Sequence, residues 1–135
     1  MAKNKKKILL LKLGALGDLV MLTPAIKSLR LAYPTAEITL LVAKEYKNVI
    51  KENPNINRLI VAENFKRNQR NYAKILKLLK MIRRERFDLV INCHTTFNMN
   101  LFSFLTGIKE RIGFSINGGY LNTKVLNYSE VKNKH

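Results

Sequence analysis

Cysteine, histidine and acidic residues are scarce in this chain, and each scarcity excludes something. Cys93 is the single cysteine of 135 residues, so there is no internal disulfide framework and a reducing compartment is implied. His94 and His135 are the two histidines, too few to assemble a structural zinc cluster within one chain. Only 9 aspartates and glutamates stand against 25 lysines and arginines, which leaves a formal charge of +16. An excess of that size predicts an anionic partner, because long-range attraction follows summed charge. Nucleic acid, a phosphorylated small molecule and an anionic lipid surface all satisfy it.

Long apolar runs are missing too. The basic stretch Lys3 to Lys7 is followed by Ile8-Leu9-Leu10-Leu11, but Lys12 ends that run after four residues, short of the ~7–15 of a secretory signal core. No apolar stretch reaches the ~18 residues of a membrane-spanning helix; the uncharged run Leu89 to Ile108 is broken by Asn92, His94, Thr95, Thr96, Asn98 and Asn100. The expectation is a soluble, cytoplasmic chain. Its length suits one domain, and 47% hydrophobic residues suffice for one core. Aromatics are only 8%, and they are not interleaved with the basic residues as single-strand stacking platforms would be, which disfavours nucleic acid.

What is present alternates between two periods. Ile8 to Leu11 reads as a strand buried on both faces. Gly14-Ala15-Leu16-Gly17-Asp18 makes a glycine turn, and Leu19, Leu22, Ile26, Leu29 and Tyr33 then recur at helical spacing. Pro24 lies inside that pattern; a long helix from near Asp18 is preferred over one that begins at Pro24. Strands are predicted at 37–42, 58–62, 87–92 and 111–114, and helices at 46–51, 68–85 and 98–105. The helix at 68–85 is amphipathic and very basic. Beyond Phe114 the residues Asn, Gly, Ser and Lys dominate, which predicts an ordered domain over 1–115 and a loose polar tail over 116–135.

This alternation predicts an α/β fold, a Rossmann-like doubly wound parallel sheet, in which ligands bind beyond the carboxyl ends of the strands. The turn Gly14 to Asp18 and the segment Asn92 to Thr96 both fall there. Gly14 and Gly17 do not form the dinucleotide fingerprint G-x-G-x-x-G, and no Lys-Ser/Thr follows them as in a phosphate-binding P-loop. They do let a ligand approach the backbone closely. Asp18 has two readings: a cap for the helix that follows, or a general base on a rigid strand-to-helix turn. His94 can orient a sugar or phosphate or be merely structural. Cys93 reads as a small buried hydrophobe. The basic run Lys66 to Arg86 is a solvated helix face or an anion-binding one.

The string Lys7-Ile8-Leu9-Leu10-Leu11-Lys12-Leu13-Gly14-Ala15-Leu16-Gly17-Asp18, continued by Met21-Leu22-Thr23-Pro24-Ala25-Ile26, resembles glycosyltransferase family 9, the heptosyltransferases. The likeness extends through Tyr33 to Ile38, Asn53 to Ile56, Arg86 to Ile91, Leu105 to Lys109 and Arg111 to Phe114. It implies the amino-terminal half of a GT-B enzyme that moves heptose from ADP-heptose to the lipopolysaccharide inner core, inverting the anomeric centre with no cofactor or metal. Asp18 matches the family's proposed base; Lys12, Gly14, Ala15 and Gly17 match the segment that frames the acceptor, with His94 beside it. Implied partners are the lipopolysaccharide core, the ADP-sugar, a second domain acting in trans and, through peripheral contact, the anionic inner membrane surface. Asn92-Cys93-His94 departs from the Asp-Leu-His or Asp-Leu-Gln of many relatives, and the nucleotide-sugar domain has no counterpart in these residues, so little activity is expected of the chain alone. The alternative is a basic α/β module that binds an anionic glycolipid or nucleic acid without turnover.

Overall fold

The computed structural model describes residues 6–14, 16–62 and 72–126. In chain order they form β1 (Lys7–Leu11), α1 (Leu16–Ala32), β2 (Glu37–Ala43), a 3-10 turn (Lys44–Tyr46), α2 (Lys47–Ile50), β3 (Arg58–Ala62), α3 (Tyr72–Glu85), β4 (Leu89–Asn92), α4 (Phe97–Leu105), β5 (Glu110–Phe114), a second 3-10 turn (Gly119–Leu121) and β6 (Lys124–Leu126). All neighbouring strands run parallel, in the order β3-β2-β1-β4-β5-β6.

The apolar strands are continuous because the sheet is covered on both sides. Along β1 the period of two divides the side chains between two cores. Ile8 and Leu10 pack with Leu19 and Ile26 of α1, with Ile38, Leu40 and Val42 of β2, and with Ile50 of α2. Leu9 and Leu11 pack on the other face with Leu78, Leu79 and Ile82 of α3 and Met99 and Phe102 of α4. Full burial of each such side chain contributes about 1.5–3 kcal/mol, so β1, the central strand, carries more of the stability than any edge strand.

Pro24 lies inside α1, which starts at Leu16, as the long-helix reading expected. The missing proline N–H leaves the Val20 carbonyl without its usual partner. The helix predicted over 68–85 is seen from Tyr72; residues 68–71 lie outside the described residues, as does His135.

The tail expectation needs correcting at its near end. Beyond Phe114 the chain makes the second 3-10 turn and then β6, which pairs with β5 from Ile112↔Lys124 to Phe114↔Leu126. Arg111 N–H donates to Thr123 Oγ1 at 2.7 Å and Thr123 N–H donates to the Arg111 carbonyl at 2.8 Å, joining the two strands before the ladder starts. The Asn122 amide occupies the space that a Cβ on Gly113 would need. Residues 127–135 lie outside the described residues.

Candidate functional site at the carboxyl edge

The strand order reverses direction between β1 and β4, since the chain winds outward one way through β2 and β3 and the other way through β5 and β6. Loops leaving two such strands diverge to opposite faces, and a crevice opens between them at the carboxyl edge. The described residues at that position are 12–14, 16 and 17 after β1 and 93–96 after β4.

The two loops are tied by backbone. Cys93 N–H donates to the Leu11 carbonyl at 3.1 Å, and Ala43 N–H, at the end of β2, donates to the Leu13 carbonyl at 3.0 Å. His94 adds a side-chain tie: its Nε2 accepts the Leu13 N–H at 3.0 Å, so that nitrogen carries its lone pair. Lys12 Nζ reaches the Cys93 carbonyl at 3.4 Å. The structure therefore brings Lys12, Gly14 and His94 together, with Gly17 one helical turn along. Gly17 is exposed and has open space where a Cβ would be, whereas a Cβ on Gly14 would overlap the ring of Tyr46. Close approach is thus required at Gly14 by the protein's own tyrosine and available at Gly17 to a ligand.

Asp18 is the third residue of α1, so its backbone lies in the helix's first turn and not at the cap position that one reading assigned to it. The Asp18 and Leu16 side chains, and Ala15 entirely, lie outside the described residues. Beyond them α1 presents Met21, 71% exposed, and Val20, 56% exposed.

Cys93 is half-buried, and burial pushes its thiol up to about 11, with the Lys12 charge opposing the shift. That shift keeps the thiol protonated at neutral pH and lowers its reactivity.

Sequence reasoning missed a set of asparagines behind the crevice. Asn92, at the end of β4, and Asn100, on α4, are buried and joined by Asn92 Nδ2 donating to Asn100 Oδ1 at 3.0 Å. Asn92 Oδ1 accepts the His94 N–H at 3.0 Å. Asn122 Nδ2 donates to the same Asn100 oxygen at 3.1 Å, and Asn100 Nδ2 donates to the carbonyls of Ile116 and Asn117 at 3.2 and 2.9 Å. Asn117, at φ 48°, donates from Nδ2 to the Thr95 carbonyl at 2.7 Å. Neutral amides thus hold the His94 loop to α4 and to the 115–122 segment. One signal was available: Asn92 stands two residues before His94, the spacing at which an asparagine oxygen accepts a backbone N–H. Asn100, a lone amide among the apolar residues of α4, was a weaker one.

An all-parallel sheet in this order, reversing between β1 and β4, defines a Rossmann-like domain. No family model matches the chain. It is 35% identical over 77 residues to lipopolysaccharide heptosyltransferase 3 of Escherichia coli, covering 56% of this chain and 23% of that protein. With the lipopolysaccharide core heptosyltransferase OpsX of Haemophilus influenzae it shares 28% identity over 109 residues, 81% of this chain and 30% of the relative. Among solved structures, the glycosyl transferase family 9 protein from Veillonella parvula superposes with a TM-score of 0.81 at 25% identity, over 94% of this chain and 37% of that one. Escherichia coli ADP-heptose heptosyltransferase II superposes at 0.76 and 23% identity, over 91% and 36%, a likeness of fold. The chain spans between 22% and 30% of the length of the curated relatives it matches. Over that part of their length, it is similar to heptosyltransferases of glycosyltransferase family 9.

Proposed function

We propose that this chain is the acceptor-side part of a heptosyltransferase of lipopolysaccharide core synthesis, with ADP-heptose as donor and Asp18 as base. The observation that carries the reading is the 35% identity to a lipopolysaccharide heptosyltransferase, in a chain whose sheet opens at the β1–β4 reversal. The donor would be held by a nucleotide-sugar domain facing that crevice, since such ligands sit between domains.

In the proposed reaction the Asp18 carboxylate takes the proton of the acceptor hydroxyl. The oxygen attacks the anomeric carbon from the side opposite ADP, the carbon–oxygen bond to the diphosphate breaks, and ADP leaves with the electron pair, inverting the centre. General-base help of this kind contributes about 10²–10⁴-fold. Lys12 supplies positive charge toward the phosphates or carboxylates of an inner-core acceptor. His94 and Gly14 fix the turn, and Gly17 leaves backbone open to the sugar. No cofactor or metal takes part in this reading.

The test is a transfer assay from ADP-heptose to core acceptor, run with a family 9 nucleotide-sugar domain supplied in trans, on the native chain and Asp18→Asn. A loss of about 10²–10⁴-fold in rate is expected, with acceptor binding retained. Equal turnover by the Asn variant would discard the base assignment.

A further inference from the structure

Two arginines stand outside the group of paired charges that Lys7, Arg58 and Glu85 form. Arg83, in the last turn of α3, and Arg86, just after it, line a cavity of about 300 Å³ between the ends of α3 and α4. Both helices run back from the carboxyl edge to the starts of β4 and β5, so this cavity lies at the opposite end of the sheet from the crevice. Two helix ends ordinarily disfavour an anion, because their last carbonyls carry partial negative charge. Here those carbonyls are taken. The Thr106 N–H donates to the Phe102 and Ser103 carbonyls at 3.1 and 3.3 Å, the Gly107 N–H to Phe104 at 3.3 Å and Arg83 Nε to Leu105 at 3.1 Å, which accounts for the last four carbonyls of α4. On α3, the Arg86 N–H donates to the Arg83 carbonyl at 3.3 Å and Lys7 Nζ to the Glu85 carbonyl at 2.5 Å.

What remains facing outward is positive charge. Arg83 and Arg86 are exposed, and neither guanidinium has an acidic partner among the described residues. The acids nearest in sequence are engaged elsewhere: Glu85 with Arg58 and Lys7, Asp88 with the Lys7 N–H, and Glu110 with Lys6. Arg86 also holds left-handed backbone, φ 56°, at the position after a helix where glycine sits without strain. Gly107 fills that position after α4 at φ 76°, with the Arg83 guanidinium lying over it, 3.5 Å from the place of a Cβ. Strain of the Arg86 kind is kept where a particular side chain is needed.

From this we infer that the cavity between the ends of α3 and α4 binds the phosphate of a small soluble phosphomonoester. Each planar guanidinium presents paired N–H groups that match two phosphate oxygens, and two guanidiniums balance the roughly two negative charges of such an ester at neutral pH. A carboxylate would leave one of them unmatched. Ile82, Phe87 and Ile108, all buried, back the cavity and give the carbon part of the ester an apolar wall. A volume of about 300 Å³ is at the small end for ligand sites, enough for one sugar ring and its phosphate but not for an oligosaccharide. The site is therefore separate from the acceptor's, and the inference does not depend on the transferase reading.

The experiment is an amide chemical-shift titration of the full chain with glucose 6-phosphate at fixed ionic strength, with inorganic phosphate and glucose as companions. Saturable changes at Arg83, Arg86, Gly107 and Ile108 are expected with the ester and with inorganic phosphate, and none with glucose. Arg86→Gln, at an exposed position, should weaken ester binding by roughly 10-fold, and Arg83→Gln added to it should bring the loss to roughly 100-fold. Lys27→Gln with Lys51→Gln, exposed on α1 and after α2, removes the same formal charge as the arginine pair and should cost less than about 2-fold. Equal losses from the two pairs, equal binding of glucose, phosphate-induced changes at Lys12 and His94 with the cavity silent, or binding only to vesicles that carry phosphatidic acid would each overturn the inference.

Discussion

The two edges of the sheet are built from different interactions. At the amino edge, charge meets charge: Glu85 takes Arg58 and Lys7, Lys7 also lies 3.9 Å from Glu37, and Asp88 Oδ2 accepts the Lys7 N–H at 2.8 Å. At the carboxyl edge the described ties are made by backbone groups, one imidazole, neutral amides and the Lys12 ammonium on the Cys93 carbonyl. Paired charges hold an edge together and have little left for a ligand. An edge held without ion pairs between described side chains sets Lys12 beside the β1 and β4 loops, where the proposed anionic acceptor would meet its charge. On the proposed function, the amino edge serves the fold and the carboxyl edge serves the ligand.

Mutation at each edge should separate these roles. The largest expected effect on stability is at the amides: Asn100→Leu leaves Asn92, Asn122 and two loop carbonyls without their shared partner and should cost about 2–4 kcal/mol in urea unfolding. Acceptor binding should fall as well, because the His94 loop loses its support. Gly14→Ala is next, at about 1–3 kcal/mol, since its methyl group displaces the Tyr46 ring. His94→Leu leaves the Leu13 N–H unpaired and should cost about 1–2 kcal/mol while weakening acceptor binding.

The smallest effect belongs to the amino edge. The hydrogen bond from Arg58, with a smaller contribution from Lys7, holds the Glu85 carboxyl below its ordinary 4.5 against an opposing desolvation cost. A depressed folded value means the interaction contributes fully above pH 4.5 and is lost as pH falls through the folded value. Glu85→Gln should therefore cost less than about 1 kcal/mol at neutral pH, flatten the acid limb of the stability profile, and leave acceptor binding untouched. A Glu85→Gln chain that lost acceptor binding would erase the distinction between the edges.

Much of this was legible in the sequence because it is periodic. Ile8 to Leu11 can only be a strand covered on both faces, and the stripe of Ile75, Leu79 and Ile82 fixes which side of α3 is buried. The turn after β1 was legible from its glycines. β6 was not, since three residues carry no period and its ladder depends on a Thr123–Arg111 contact twelve residues apart. The amide set was hidden for the same reason: Asn92, Asn100 and Asn122 meet only after the sheet has formed. Nor could the sequence reveal that Gly14 is kept small by Tyr46, which arrives from the far end of β2.

The account is tested most directly by amide chemical shifts of the full chain titrated with a phosphorylated inner-core oligosaccharide. Changes concentrated at Leu13, Gly14, Gly17, Cys93 and His94 are expected, with Lys7, Arg58 and Glu85 unmoved. Changes confined to the amino edge, with the β1 and β4 loops silent, would contradict it.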